Sequence, residues 1–213
     1  MRLQLSVLQK LAEHGATTLL LSGRRSRRIG IVVGNPANDA SIRLCQALRV
    51  VDTDYCRRSS AALVAAKIRR QSRACAIWLV ARPDRRRILL QAHRKLHRLA
   101  QEVGAQPTVE GIRGVEGAAA RQYFVALRSV VPPELEFTGR NRRPPRDPVN
   151  AALSLAYTLL HWEAVHVLHA VGLDPMLGFY HRPSFGRESL ACDVMEPLRP
   201  AVDRWIWRLF ADR

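Results

Sequence analysis

Near its C-terminal end the chain carries three carboxylates and one histidine whose types and spacing suit a divalent-cation site: Glu163, His181, Asp193 and Glu196. Oxygen ligands combined with a single imidazole favour a hard cation such as Mg²⁺ or Mn²⁺. Asp193 and Glu196 are three residues apart, so both carboxylates share one face if this segment is helical. The pattern therefore predicts that three short segments meet to form a metal site.

Each of these residues also has a purely structural explanation. Taken alone, Glu163 fits a solvent-exposed helix face or an ion pair with an arginine. The segment around it is rich in histidine, and His161, His166 and His169 are rival ligand candidates. Arg199, three residues beyond the acidic pair, supplies an ordinary ion-pair partner for it. Only the concentration of these groups in one part of the chain favours a metal site.

The charge balance indicates a polyanionic partner. The 213 residues include 34 basic and 18 acidic ones, a formal net charge of +16. Arginine supplies nearly all of the positive charge, since the only lysines are Lys10, Lys67 and Lys95. The planar guanidinium suits bidentate contact with phosphate, although an arginine bias also follows from a GC-rich genome. The excess charge itself favours nucleic acid.

One basic cluster stands immediately before the Glu163 segment. Arg140, Arg142, Arg143 and Arg146 flank a diproline in an extended connector. Because prolines stiffen this connector and it leads directly into the candidate metal helix, we expect these arginines to hold phosphate groups near the site.

Composition excludes several other classes of protein. Nearly half of the residues are apolar, which argues against wholesale disorder. No apolar run approaches the ~20 residues that cross a bilayer, and the start shows no signal-peptide pattern. The four cysteines lack the spacing of a zinc ribbon or a disulfide framework. We therefore expect a cytoplasmic protein with no membrane association.

The elements that position these residues are mostly helical. An N-terminal helix precedes two short strands, and a long helical stretch with a joint at Pro83 follows from about residue 41. A glycine-rich stretch, 106–117, reads as a loop. Further helices are predicted over 116–130, over 147–171, and from 188 or 189 through the two C-terminal tryptophans.

Four ordered segments of the chain are similar to one known family. They are EGAAARQYF (116–124), GRNRRPPRDPVNAALSLAYTLL (139–160), GLDPMLGFYHRP (172–183) and SLACDVMEPLRP (189–200). They closely resemble the CRISPR-associated integrase of spacer acquisition, the Cas1 family. Looser matches include LQKLAEHGATTLLLSGR and the AAKIRRQ segment that contains Lys67.

The resemblance implies a role for each candidate. Glu163 would be the helix-borne metal ligand, His181 the histidine ligand and Glu196 the third ligand, with Asp193 beside them in the catalytic site. The cofactor would be Mg²⁺ or Mn²⁺. The DNA-binding residues would be Arg140, Arg142, Arg143, Arg146, Lys67 and Arg121.

The resemblance also implies a fold and partners. The expected fold is mainly α (α+β overall), with a partial N-terminal β-domain and linker over residues 1–36 and a helical catalytic domain over residues 37–213. Double-stranded DNA, a second copy of the chain in a homodimer, and the smaller protein Cas2 are the expected partners. Members of the family are usually about half as long again, with additional N-terminal strands and C-terminal helices.

Three functions follow as hypotheses. The first is a metal-dependent DNA endonuclease and integrase that inserts short fragments into a CRISPR array through attack by a 3′-hydroxyl. The second is a non-catalytic, basic DNA-binding remnant of the family. The third, based on composition alone, is an RNA- or ribosome-associated helical protein in which the carboxylates are incidental.

Overall fold

A computed structural model describes residues 4–22, 28–32, 34, 37, 39–141 and 144–211. Within this part, two strands and eight α-helices follow one another along the chain. They are α1 (Leu5–Glu13), β1 (Thr18–Leu21), β2 (Arg28–Val32), α2 (Ala40–Val51), α3 (Thr53–Ala81), α4 (Arg86–Glu102), α5 (Val109–Val130), α6 (Pro148–Ala170), α7 (Ser189–Met195) and α8 (Arg199–Ala211). Short 3₁₀ turns include Pro83–Arg85 before α4 and Glu196–Leu198 between α7 and α8.

The two strands form an antiparallel hairpin whose register pairs Thr18 with Val32 and Leu19 with Ile31. A two-stranded sheet is marginal by itself, so it needs support from another element. Ile31 supplies that support, because it packs on a small apolar cluster that includes Val165 and Leu168 of α6. The predicted strands are confirmed, and the mainly helical fold class with a small β remnant is confirmed with them.

The main core lies between α3, α4, α5, α6 and α8. Trp78 of α3 is fully buried; its ring stacks on that of Tyr123 of α5 at 5.6 Å and meets that of Trp207 of α8 edge-to-face at 6.2 Å. Such large aromatic side chains bury much apolar area and hold three helices against one another. Helix α3 thus runs through the middle of the helical body, with one of its faces available to a site.

Helix α6 begins where its sequence predicts. Asp147 is the N-cap and accepts a hydrogen bond from the Asn150 amide, while Pro148 occupies the first turn, where its missing N–H is not needed. The helix ends at Ala170, and Gly172 follows with φ +81°, which glycine adopts without strain.

The prediction of a loop over residues 106–117 is wrong beyond Thr108. Thr108 caps α5 by accepting a hydrogen bond from the Gly111 amide, and the helix continues from Val109 through three glycines. Burial of Ile112 and Ala119 against the core outweighs the low helix propensity of those glycines.

Among the described helices, none combines the length and apolarity needed to cross a lipid bilayer.

Candidate active site

A cavity of about 530 Å³ opens between α3, α5, α6, α8 and the segment that follows α6. Its walls carry three carboxylates, one histidine and four basic side chains, with aromatic rings between them. The charged and histidine residues are Lys67, Glu116, Arg140, His181, Arg187, Glu196, Arg199 and Asp203. Concave surfaces on which a few polar groups converge are where binding and catalytic sites are usually found.

Lys67 of α3 lies between two of these carboxylates. Its Nζ is 2.5 Å from Glu116 Oε1 and 2.6 Å from Glu196 Oε2, and the lysine side chain is only 10% exposed. Two neighbouring carboxylates repel each other unless a cation lies between them. The ammonium group therefore reduces the repulsion within an acidic pair that α5 and the turn after α7 bring together.

Glu196 is ionised in this setting. Burial pushes the pKa of its carboxyl group upward, but the charges of Lys67 and Arg199 outweigh burial, and the pKa lies below its ordinary value. Arg199 Nε is 3.1 Å from Glu196 Oε1. Glu196 Oε2 contacts the Lys67 ammonium group, but no donor among the described residues makes a hydrogen bond of good geometry to it. That oxygen is suited to accept a cation.

His181 is oriented by Asp193. The buried Asp193 carboxylate accepts hydrogen bonds from the backbone amides of residues 179, 180 and 181, and its Oδ1 lies 2.7 Å from His181 Nδ1. A carboxylate on Nδ1 fixes the ring tautomer and leaves Nε2 with its lone pair available to a cation. This arrangement is typical of metal-binding histidines in proteins.

Asp193 is therefore not beside Glu196 in the cavity, contrary to the prediction from their spacing. Its side chain is 1% exposed, and it lies behind His181 rather than in the cavity wall. Helix α7 ends at Met195 and Glu196 begins a 3₁₀ turn, so the two carboxylates serve different partners. Asp193 supports the turn that carries His181, while Glu196 faces Lys67 and Arg199.

Glu163 does not meet His181 and Glu196. It lies on the exposed face of α6 and is absent from the cavity wall, where α6 contributes Tyr157. Glu116, the first residue of the segment EGAAARQYF, lies in the wall instead. Sequence reasoning missed Glu116, although it opens one of the four segments on which the family resemblance rests.

Two of the three rival histidines of α6, His161 and His166, have other partners. His161 Nε2 is 2.7 Å from Glu188 Oε2, and hydrogen bonds to Cys192 and Glu188 raise the pKa of His161 to about 9. His166 forms a hydrogen bond with Thr17, which ties α6 to the segment before β1. Neither histidine lines the cavity.

The floor of the cavity is aromatic and acidic. The Tyr157 hydroxyl donates a hydrogen bond to the fully buried Asp203, and burial raises the pKa of Asp203 to about 6. The Arg199 guanidinium lies 4.6 Å from the centre of the Tyr157 ring, and the Arg140 guanidinium 5.4 Å. Cation–π contact of this kind holds both arginines at the edge of the cavity.

The predicted DNA-binding residues have different positions. Arg140 lines the cavity and is held there by Asn150 Oδ1 at 2.8 Å and Ser154 Oγ at 3.1 Å. Lys67 is in the cavity as well, but as the partner of two carboxylates. Arg121 and Arg146 are exposed outside it. Arg142 and Arg143 lie outside the described residues.

The donor set matches a hard divalent cation in kind. Glu116, Glu196 and the Asp193-backed His181 line one cavity and offer oxygen and imidazole nitrogen ligands. In the described part of the chain these groups are not drawn together as a complete metal-binding cluster, and a lysine cation lies between the carboxylates. The residues thus fit Mg²⁺ or Mn²⁺ if Lys67 swings aside.

Comparisons with known proteins agree on one family. The family model for CRISPR associated protein Cas1 matches residues 1–213. The chain is 38% identical over 213 residues to the CRISPR-associated endonuclease Cas1 1 of Thermodesulfovibrio yellowstonii, an alignment that covers 98% of this chain and 65% of the relative. The chain thus spans less than two thirds of that relative's length.

Solved structures that align with this chain include a casposase and a complex that contains Cas1. A casposase bound to its integration product aligns with a TM-score of 0.80 and 25% identity over 99% of this chain and 58% of the casposase chain. A Cas6-RT-Cas1–Cas2 complex aligns with a TM-score of 0.77 and 27% identity over 98% of this chain and 23% of the matched chain.

Proposed function

Because the chain belongs to the Cas1 family of CRISPR-associated proteins, we propose that it is a metal-dependent DNA endonuclease and integrase. Its reaction would insert short DNA fragments into a CRISPR array. The observation that carries this proposal is the convergence of Glu116, His181 and Glu196 on one cavity edged by arginines.

We propose Glu116, His181 and Glu196 as the ligands of Mg²⁺ or Mn²⁺, with Glu116 in the role that the sequence had suggested for Glu163. A divalent cation bound there would supply positive charge to the scissile phosphate and to the oxygen that it releases. Asp193 holds the His181 ring with its proton on Nδ1, so that Nε2 faces the cavity as a ligand.

The arginines around the cavity would bind the phosphates of the substrate. Arg140 and Arg199 are both held against Tyr157, so their guanidinium groups lose little freedom when they bind an anion. Arg199 also contacts Glu196, and it therefore links phosphate binding to the proposed ligand set.

The transfer step needs no covalent intermediate with the protein. The 3′-hydroxyl oxygen of the incoming fragment forms a bond to the target phosphorus, and the bond from that phosphorus to the 3′-oxygen of the array strand breaks. The proton of the attacking hydroxyl is lost to solvent, and the released 3′-oxygen takes up a proton. One phosphodiester bond thus replaces another, and the protein's task is positioning and charge stabilisation.

The proposed partners follow from the solved relatives. One is a casposase bound to its integration product and another is a complex that contains Cas2. We propose that this chain likewise binds double-stranded DNA and Cas2, and that it acts as a homodimer.

A matched pair of variants tests the site. Strand transfer on a branched DNA substrate with Mn²⁺ should fall by about 100-fold or more in Glu116→Gln, because even groups behind metal ligands are worth 10–100-fold. Glu163→Gln carries the same chemical change on an exposed position of α6 and should remain within about twofold of wild type. Full activity in Glu116→Gln, or loss of activity in Glu163→Gln alone, would reject the assignment.

One observation favours the second candidate, a non-catalytic DNA-binding protein. Lys67 and Arg199 already compensate the charges of Glu116 and Glu196, so this cavity is stable without a metal ion. In that case Mn²⁺ would leave the melting temperature unchanged, whereas a true metal site must raise it.

A further inference from the structure

A second concave surface lies on the outer side of the α3–α8 contact. Its volume is about 360 Å³, and Arg70, Arg73, Pro200, Ala201 and Arg204 line it. We refer to it as the α3–α8 groove. Three of its five lining residues are arginines, and none of its lining residues is acidic.

The three arginines have no carboxylate partners in the part of the chain that the structure describes. Arg82 and Arg199, for example, contact an acidic side chain, but Arg70, Arg73 and Arg204 do not. Arg70 instead donates to the Pro197 carbonyl at 3.1 Å. Three positive charges facing one cavity without anions repel one another, so the groove favours an anionic ligand.

Arg204 gives an independent indication. Its Nε is shielded from solvent and donates to no acceptor among the described residues. A shielded donor without an acceptor is unfavourable in a folded protein, and the penalty is relieved when the side chain turns to present its N–H groups to a ligand oxygen. Phosphate oxygens are the natural acceptors for a guanidinium fork.

The helices fix the spacing of the three side chains. Arg70 and Arg73 are three residues apart on α3 and therefore neighbours on its surface, while Arg204 projects from α8. Pro200 and Ala201 belong to the first turn of α8, the end at which the helix dipole is positive.

The groove borders the candidate active site. Lys67 lies one turn before Arg70 on α3, and Asp203 immediately precedes Arg204 on α8; both line the catalytic cavity. The Pro197 carbonyl that holds Arg70 directly follows Glu196. A DNA strand that leaves the cavity across α3 and α8 therefore meets the three arginines.

We propose that the α3–α8 groove binds backbone phosphates of DNA outside the catalytic cavity and without a metal ion. The proposal rests on the proposed function in taking DNA as the substrate, but its test does not require catalysis. The contact would add affinity and fix the direction of the strand, without reading sequence.

Binding of a duplex DNA in EDTA, measured by fluorescence anisotropy over a range of NaCl concentrations, tests the proposal. Each phosphate contact contributes about 0.9 to the slope of log K against log salt concentration. The variant R70Q/R73Q/R204Q should therefore bind more weakly and lose about 2–3 from the magnitude of that slope. R70K/R73K/R204K, which keeps the charge, should lose much less of the slope.

The matched control is R87Q/R94Q/R98Q on α4, which removes three exposed arginines and changes the net charge equally. The magnitude of the slope of log K against log salt concentration should be larger in this control than in the groove variant by about two or more. Equal losses in both would mean that only net charge matters, and no loss in the groove variant would mean that the groove does not touch DNA. Either result overturns the proposal. The same measurement on duplex RNA is a further check: if the groove variant lost affinity for RNA but not for DNA, the proposal would also be overturned.

Arg204 is half-buried, and its replacement could disturb the fold. The double variant R70Q/R73Q changes only exposed residues, so it keeps the test valid; it should lose about 1.8 of the slope. R94Q/R98Q is its control. Because all binding is measured without metal, failure of this proposal is distinct from failure of Glu116→Gln to abolish strand transfer.

Discussion

Lys67 is the residue around which the candidate site is organised. It is buried, and its ammonium group is within 2.6 Å of carboxylate oxygens from two separate helical segments. A buried lysine is stable only when it is paired, and here both of its partners are the proposed metal ligands. The lysine and the metal ion would compete for the same two carboxylates.

This competition predicts the behaviour of Lys67→Met. Removing the cation leaves Glu116 without its charged partner in the cavity and Glu196 with Arg199 alone, so the metal-free protein should lose about 3–5 kcal/mol of unfolding free energy. Mn²⁺ should restore much of this loss and raise the melting temperature more than it does in wild type. Thermal unfolding with EDTA and with Mn²⁺ measures both effects.

Lys95→Met is the control for this experiment, because Lys95 is exposed on α4. Its stability should stay within about 0.5 kcal/mol of wild type, with the same response to Mn²⁺. If Lys67→Met were as stable as this control, the lysine would not be holding the carboxylates together.

At the scale of elements, the turn between α6 and α7 decides where His181 lies. Gly178 lies in this turn, three residues before His181. A Cβ at position 178 would come 2.6 Å from the His181 carbonyl oxygen and 2.7 Å from the Ser189 carbonyl carbon. Both of these are backbone atoms, which cannot move aside as a flexible side chain does. The chain therefore needs glycine here for the turn to close against the start of α7.

Gly178→Ala should consequently destabilise the protein by about 1–3 kcal/mol and weaken Mn²⁺ binding, because the turn that carries His181 must open. Gly114→Ala is the matched control: it lies in α5, a Cβ there meets nothing within 4 Å, and alanine is the better helix former. That control should be stabilised by up to about 1 kcal/mol. Urea unfolding and metal titration of both variants compare them, and equal effects on metal binding would contradict the role of the turn.

For the whole molecule, the helical body accounts for the site and for most of the core. Among the described residues, the larger core cluster contains only residues from α3 onward, and the hairpin contributes Ile31 to the smaller cluster. Helix α2 belongs with the helical body, because Gln46 is buried and exchanges hydrogen bonds with the backbone of Asp174. These contacts support the prediction that the helical domain begins at residue 37, which stays a proposal.

A truncation that starts at Asp39 should keep its helical circular dichroism and lose about 2 kcal/mol, or roughly 4–8 °C in melting temperature. A second truncation that starts at Asp52 also removes α2 and the Gln46 contacts, so it should be clearly less stable than the first. Unfolding of the Asp39 form at room temperature would show that the hairpin is an integral part of the helical domain.

Local sequence signals determined the helices and the chemistry of the site. The Asp147 cap followed by Pro148 placed the start of α6, and the family segments indicated His181 and Glu196, both of which line the cavity. These signals depend on a few neighbouring residues, whereas the local glycine signal at residues 109–117 was overridden by burial of α5 against the core.

Only the tertiary structure shows which glutamate lines the cavity together with His181 and Glu196. Helix α6 carries apolar residues on every side, including the exposed Leu155 and Leu159, so its pattern does not reveal which face Glu163 occupies. Glu116 and Glu196 become neighbours only because α3 presents Lys67 to both of them. Periodicity specifies the face of a helix that is buried, but the partner that a buried charge meets is set by how the helices pack.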